Sequence, residues 1–151
     1  MRQDIDEYFL DLVKVLGSRG TCDRGHSGAV IVKHKHILST GYVGSPAGMP
    51  HCDDEGHLME NNSCIRTAHA ESNAICQAAR HGISIEGATI YSTMFPCLWC
   101  AKMIVNVGIK RVVADYDYHK SALSKAMFDE LDIEYKVIHN ENKTYESPGT
   151  K

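Results

Sequence analysis

The chain has 151 residues, a mass of 16.7 kDa, 43% hydrophobic residues and a net charge of −3 with a pI near 6.3. That length fills one well-packed core and is too short for two comfortable domains. Mild acidity argues against a broad surface for polymeric nucleic acid, and no stretch approaches the roughly 18 uninterrupted apolar residues of a bilayer span.

The polar start MRQDIDEY lacks the apolar segment of a secretory signal. We therefore expect a cytoplasmic protein (in the host cytoplasm if the source is viral), with neither membrane nor nucleic acid as a partner.

Ile5, Phe9, Leu12, Val13 and Leu16 recur at helical spacing and predict a first helix, stopped by the stretch Gly17 to Gly20. Two β-rich runs, 28–33 and 37–42, are separated by His34-Lys35-His36 and read as a hairpin. Residues 43–67 are rich in Gly, Pro, Asn and Asp and show no periodicity. Inserts of that length in a compact domain are usually functional or are held by something besides packing. Helices are expected over 69–81, 97–107 and 121–131, the last with Ser121 as its N-cap, and strands over 88–93, 111–114 and 134–138. The order αββαβαβαβ implies crossover connections, hence parallel strand pairs in a sheet covered on both faces. Residues 1–139 form the expected domain and 140–151 a polar tail.

The two motifs with chemical content are His69-Ala70-Glu71 and Pro96-Cys97-Leu98-Trp99-Cys100. Both stand at predicted helix starts, where N–H groups and the helix dipole favour thiolate. Pro96 sets the backbone before the second helix, and the Cys-x-x-Cys spacing lets both sulfurs face one point. One imidazole and two thiolates can hold zinc and leave a fourth position to water, the open arrangement of a catalytic site. Zinc bound this way brings its water towards hydroxide near neutral pH. Glu71 is surplus to the metal and is placed to move protons. His-x-Glu with Pro-Cys-x-x-Cys is a described signature of zinc nucleobase deaminases.

Beyond these motifs, Gly28-Ala29-Val30-Ile31-Val32, Gly41-Tyr42-Val43-Gly44-Ser45-Pro46-Ala47-Gly48, Pro50-His51-Cys52-Asp53, Cys64-Ile65-Arg66-Thr67-Ala68-His69-Ala70-Glu71, Phe95-Pro96-Cys97-Leu98-Trp99-Cys100-Ala101-Lys102 and Gly108-Ile109-Lys110-Arg111-Val112-Val113 follow one another. In this order they resemble the deoxycytidylate deaminases, phage and bacterial type, over nearly residues 5 to 140. The resemblance implies an α/β, three-layer α-β-α cytidine-deaminase-like fold with a five-stranded mixed sheet. It implies hydrolysis of dCMP to dUMP for thymidylate synthesis, with dCTP as activator, dTTP as inhibitor, Mg2+ accompanying the triphosphate, and a homohexamer. Carried across, the zinc ligands are His69, Cys97 and Cys100, the proton shuttle is Glu71, and Ala70 offers its backbone N–H to the pyrimidine carbonyl. The family usually has Gly-Tyr-Asn-Gly where this chain has Val43, and valine cannot hydrogen-bond a sugar hydroxyl. For the phosphate, Tyr118 is the first candidate, followed by Arg24 and His119.

Six cysteines without a secretory context point to metal thiolates or free thiols. Cys22, Cys52, His57 and Cys64 form a candidate structural zinc set that would hold the long insert, with His51 or His26 as substitutes for His57. Cys76, on an Ala-rich helix, is expected in the core. The small-residue loop Gly44, Ser45, Pro46, Ala47 and Gly48 is a candidate allosteric phosphate cradle, or a plain turn, with Arg66 and Arg80 as charges for a subunit contact. Two other functions remain open: a zinc deaminase acting on free cytidine, deoxycytidine or nucleic acid, and a non-catalytic zinc-stabilised interaction module, which would have no need of Glu71.

Overall fold

In the computed structural model, which describes residues 1–143, Asp4 opens the first helix, α1 (Ile5–Gly17), by accepting the amide hydrogens of Asp6 and Glu7 on its carboxylate. Phe9, Leu10 and Val13 form the buried stripe of that helix. Asp6 is buried with them, which hydrophobic spacing does not reveal. Arg111 donates to its two oxygens at 2.7 and 2.8 Å, and the Tyr91 hydroxyl donates at 2.8 Å.

β1 (Gly28–Lys33) and β2 (His36–Tyr42) make the expected hairpin. Its turn residues His34 and Lys35 both have positive φ, 51° and 65°, the two-residue geometry whose twist matches the flanking strands. The insert after β2 contains short pieces that its aperiodic sequence hides: a single-turn helix, α2 (Cys52–Glu55), and a two-residue antiparallel pair, β3 (Met59–Glu60) with β4 (Ser63–Cys64). Asn61 and Asn62 turn that pair at φ of 47° and 63°.

The remaining elements are α3 (Ala70–Arg80), β5 (Thr89–Met94), α4 (Leu98–Asn106), β6 (Arg111–Tyr118), α5 (Ala122–Glu130) and β7 (Glu134–Lys143). The five-stranded sheet runs β2-β1-β5-β6-β7, with β1 antiparallel to both neighbours and β5, β6 and β7 parallel. On one face, α1 buries Phe9, Leu10 and Val13 against Val30, Val32, Tyr91 and Val113. On the other, α3, α4 and α5 pack around Ile31, Ile90, Ile104, Val112 and Phe128. This is the mixed-sheet α-β-α architecture expected, with one helix on one side and three on the other. No helix among the described residues is long and apolar enough to cross a membrane.

Four local expectations change. β6 runs to Tyr118 rather than 114 because Asp115 to Tyr118, polar to the eye, still pair with neighbouring strands. β7 runs to Lys143, so the boundary at 140 falls inside a strand, and 144–151 lie outside the described residues. Ser121 occupies the N-cap of α5 but donates its hydroxyl to Asp117 at 2.8 Å instead of capping. Cys76 is exposed, because the buried stripe of α3 is Ala70, Ala74, Ile75 and Ala78 and position 76 turns away from it.

Candidate active site

The N-termini of α3 and α4 meet where β5 and β6 end. His69 is the N-cap of α3 and Cys97 the N-cap of α4, both in extended conformation. Neither side chain caps its own helix, which leaves both free to turn towards each other. Cys100 lies one turn further along the same side of α4. His69 Nδ1 is 3.5 Å from each of the two sulfurs, and the three donor atoms all lie within 4.8 Å of one another.

The electrostatics of this trio favour a thiolate at Cys97, the form that binds metal. A hydrogen bond from Cys100, with further help from His69, holds the Cys97 thiol down at about 4. The Cys97 sulfur in turn raises the His69 imidazole to about 9. One nitrogen and two sulfurs at this spacing suit tetrahedral zinc with an open position.

Glu71, in the first turn of α3, is only 7% exposed and stands outside the donor trio. Burial pushes its carboxyl above the usual range, against the opposing charge of His69, and the carboxyl reaches the Cys100 sulfur. A cleft beside the trio is lined by Ser27, Val43, His69, Ala70, Glu71, Met94, Phe95, Cys97 and Tyr118. Sequence reasoning placed Val43, His69, Ala70, Glu71, Cys97 and Tyr118 in such a site. Ser27, Met94 and Phe95 were missed. Phe95 adjoins the Pro-Cys-x-x-Cys motif and was within reach, whereas nothing local marks Ser27.

The other candidates lie elsewhere. Arg24 does not line the cleft: its guanidinium donates to the Asn62 carbonyl at 3.0 Å, on the β3–β4 turn. His119 is exposed at the end of β6 with its ring edge against Tyr118, centroids 4.7 Å apart, and is likewise not part of the cleft wall.

A second cluster joins Cys22, Cys52, His57 and Cys64, whose donor atoms again lie within 4.8 Å of one another. Cys22 Sγ is 3.6 Å from His57 Nδ1, and Cys52 Sγ is 3.6 Å from Cys64 Sγ. The far nitrogen of His57 meets Asp23 at 3.0 Å, the carboxylate support that orients metal-binding imidazoles. Although burial opposes it, the backbone amides of Arg66 and Leu58 bring Cys64 down to about 7. His51 is not in this cluster. Its Nδ1 faces the Thr21 hydroxyl at 2.9 Å and the Ser45 amide at 3.4 Å. His26 borders a different cavity, beside Lys14 and Asp115.

In the loop Gly44 to Gly48, the amide of Gly44 donates to the Ala68 carbonyl and that of Ser45 to His51, and the following Met49 amide donates to Pro46. Gly48 has φ of 88° and turns the chain. Arg66 is committed to the insert, donating to the Gly56 carbonyl at 2.9 Å and lying 3.5 Å from Glu55. Arg80 is exposed at the end of α3.

Residues 3–115 match the family model described as "Cytidine and deoxycytidylate deaminase zinc-binding region". The chain belongs to that family. It is 41% identical over 133 residues to ComE operon protein 2 of Bacillus subtilis (strain 168), covering 88% of this chain and 70% of that one. Deoxycytidylate deaminase of Mycobacterium phage D29 is 36% identical over 124 residues, covering 74% of this chain and 94% of the phage protein. The crystal structure of dCMP deaminase from cyanophage S-TIM5 in complex with dCMP and dUMP superposes with a TM-score of 0.78 at 28% identity, over 91% of this chain and 98% of that one.

For a zinc-binding deaminase domain, the His69–Cys97–Cys100 trio and its neighbouring acid form a coherent centre. Both halves of this deaminase centre come from helix starts separated by one strand, β5, so its geometry is as rigid as the sheet.

Proposed function

We propose that this deaminase hydrolyses dCMP to dUMP and ammonia, with zinc held by His69, Cys97 and Cys100. The observation that carries the reading is Glu71: a buried carboxyl with a raised pKa, in the cleft wall, beside a donor set that does not need it. When bound, zinc supplies the Lewis acidity that brings water towards hydroxide near neutral pH. Glu71 accepts one proton of the attacking water and delivers it to the ring nitrogen, then takes the second from the hydroxyl newly attached to the ring carbon and passes it to the amine, which departs as ammonia. Its raised pKa suits both halves of that transfer. The N–H of Ala70, at the first turn of α3, has no partner within the helix and is available to the pyrimidine carbonyl. Tyr118, in the cleft wall, faces the nucleotide.

dCMP is favoured over other substrates of the superfamily by the relatives named deoxycytidylate deaminase and by the structural likeness to an enzyme complexed with dCMP and dUMP. The net charge of −3 disfavours a nucleic-acid polymer. Ammonia release from dCMP, cytidine, dCTP and a tRNA hairpin tests the assignment. Turnover of dCMP above the other three is expected, and preference for cytidine or the hairpin overturns it.

Cys22, Cys52, His57 and Cys64 are proposed to hold a second, structural zinc. Four donors at metal spacing, with Asp23 behind the imidazole, support that reading. Activation by dCTP with Mg2+, inhibition by dTTP, a homohexamer, a role in supplying dUMP for thymidylate synthesis and a cytoplasmic location are proposed on the family resemblance.

A further inference from the structure

Once the proposed roles are assigned, few polar side chains are left in the cleft wall. His69 and Cys97 belong to the metal trio and Glu71 moves protons, which leaves Ser27 and Tyr118. Among the described residues the Ser27 hydroxyl makes no hydrogen bond, although the residue is 9% exposed.

Its orientation follows from the strand it precedes. Along β1, Val30 and Val32 pack under α1, whereas Ala29 and Ile31 pack on the side of α3. Alternation puts Gly28 on the α1 side, where a Cβ would stand 2.4 Å from the Val13 carbonyl oxygen, and Ser27 on the α3 side. The same holds across the hairpin. Ser39 donates to the Ala74 carbonyl at 2.7 Å and Gly41 abuts Ala70, so Val43, two residues on, also faces α3. The Val43 amide donates to the Ser27 carbonyl at 2.9 Å, which extends the β1–β2 register by one more cross-strand pair. Ser27 and Val43 are thus neighbours on one wall of the cleft. Only Ser27 carries a polar atom.

A deoxynucleotide held in this cleft places a sugar hydroxyl against a wall that must either satisfy it or leave it unpaired, at a cost comparable to a lost hydrogen bond. We infer that Ser27 is a specificity-determining residue whose hydroxyl hydrogen-bonds the deoxyribose hydroxyl of the substrate. The inference rests on the assignment of dCMP as substrate. Val43 supplies the apolar floor beside that hydroxyl, packed from behind by Cys22 and Cys52.

The test compares dCMP with 2′,3′-dideoxycytidine monophosphate, which lacks the hydroxyl in question. Wild-type protein should favour dCMP in kcat/KM by about tenfold or more, the effect of roughly one hydrogen bond. Ser27→Ala should bring the ratio close to one, mainly by lowering kcat/KM for dCMP, with zinc content and thermal midpoint near the wild-type values. Equal use of the two nucleotides by the wild type overturns the inference without needing the variant. An unchanged ratio in Ser27→Ala also overturns it. Both outcomes differ from failure of the substrate assignment, in which wild-type protein does not deaminate dCMP at all.

Discussion

Gly41 of β2 abuts the carbonyl of Ala70 in the first turn of α3: a Cβ on residue 41 would stand 2.4 Å from that oxygen and 2.5 Å from the Ala74 amide nitrogen. Edge strand and site helix touch backbone to backbone, and the Ser39 hydroxyl bonds the Ala74 carbonyl at 2.7 Å alongside. The helix that begins just after His69 and carries Glu71 is seated by this contact. Gly41→Ala should therefore push α3 outward and cost about 2 kcal/mol, the scale of overpacking. Denaturant unfolding measures it, and deamination should fall with it. A variant as stable and active as wild type would show that the contact does not position the helix.

Glu71→Gln keeps the shape of the side chain and removes its proton chemistry. Turnover of dCMP should fall by at least about a hundredfold, the low end of general acid–base contributions, while zinc content stays at the wild-type level. Unimpaired ammonia release would remove Glu71 from the mechanism.

Asp6 tests the α1 face of the sheet. Arg111 holds its carboxyl at about 2, below the ordinary value of 3.8, with the Tyr91 hydroxyl adding to the effect against the cost of burial. A carboxyl whose pKa is lowered by folding stabilises the fold in full above its unfolded value. That contribution disappears as pH falls through the interval from about 4 to about 2. Arg111→Ala leaves the buried carboxylate with only the Tyr91 hydroxyl and Lys136, 3.6 Å away, and should cost about 2 kcal/mol at pH 7, with a smaller difference from wild type near pH 2. Equal stability of the two proteins at pH 7 would contradict the pairing.

Metal analysis separates the two clusters. Two zinc ions per chain are expected. Cys52→Ser should leave one and lower the thermal midpoint, because the insert has little core of its own, whereas Cys97→Ser should leave one and abolish deamination. A wild-type stoichiometry of one would sink the structural zinc.

Nucleotide control is tested by the dCMP saturation curve with dCTP and Mg2+, and with dTTP. A shift to lower half-saturation with dCTP and to higher with dTTP is expected. Curves that superpose would refute the regulatory reading.

Much of this was legible in the residues. The αββαβαβαβ order, the helix starts and the His-x-Glu and Pro-Cys-x-x-Cys pair are local patterns, and local patterns survive in a linear sequence. Hydrophobic spacing located α1 through Phe9 and Val13 but could not show that Asp6 is buried, because its partner Arg111 lies 105 residues away. Spacing also misplaced Cys76, since an Ala-rich helix gives little contrast between its faces. Arg24 carried a charge suited to phosphate, yet its direction is set by the β3–β4 turn, whose position depends on how the whole insert folds.

By itself, then, the sequence determined the chemistry: which donors and which acid, at spacings that helix geometry makes convergent. Only the tertiary structure decided what surrounds them. It brought Cys22 within metal reach of Cys52, His57 and Cys64, across at least thirty residues. It also set Ser27 beside Val43 on the cleft wall, because strand register and the alternation of side chains across a sheet exist only once the strands have paired.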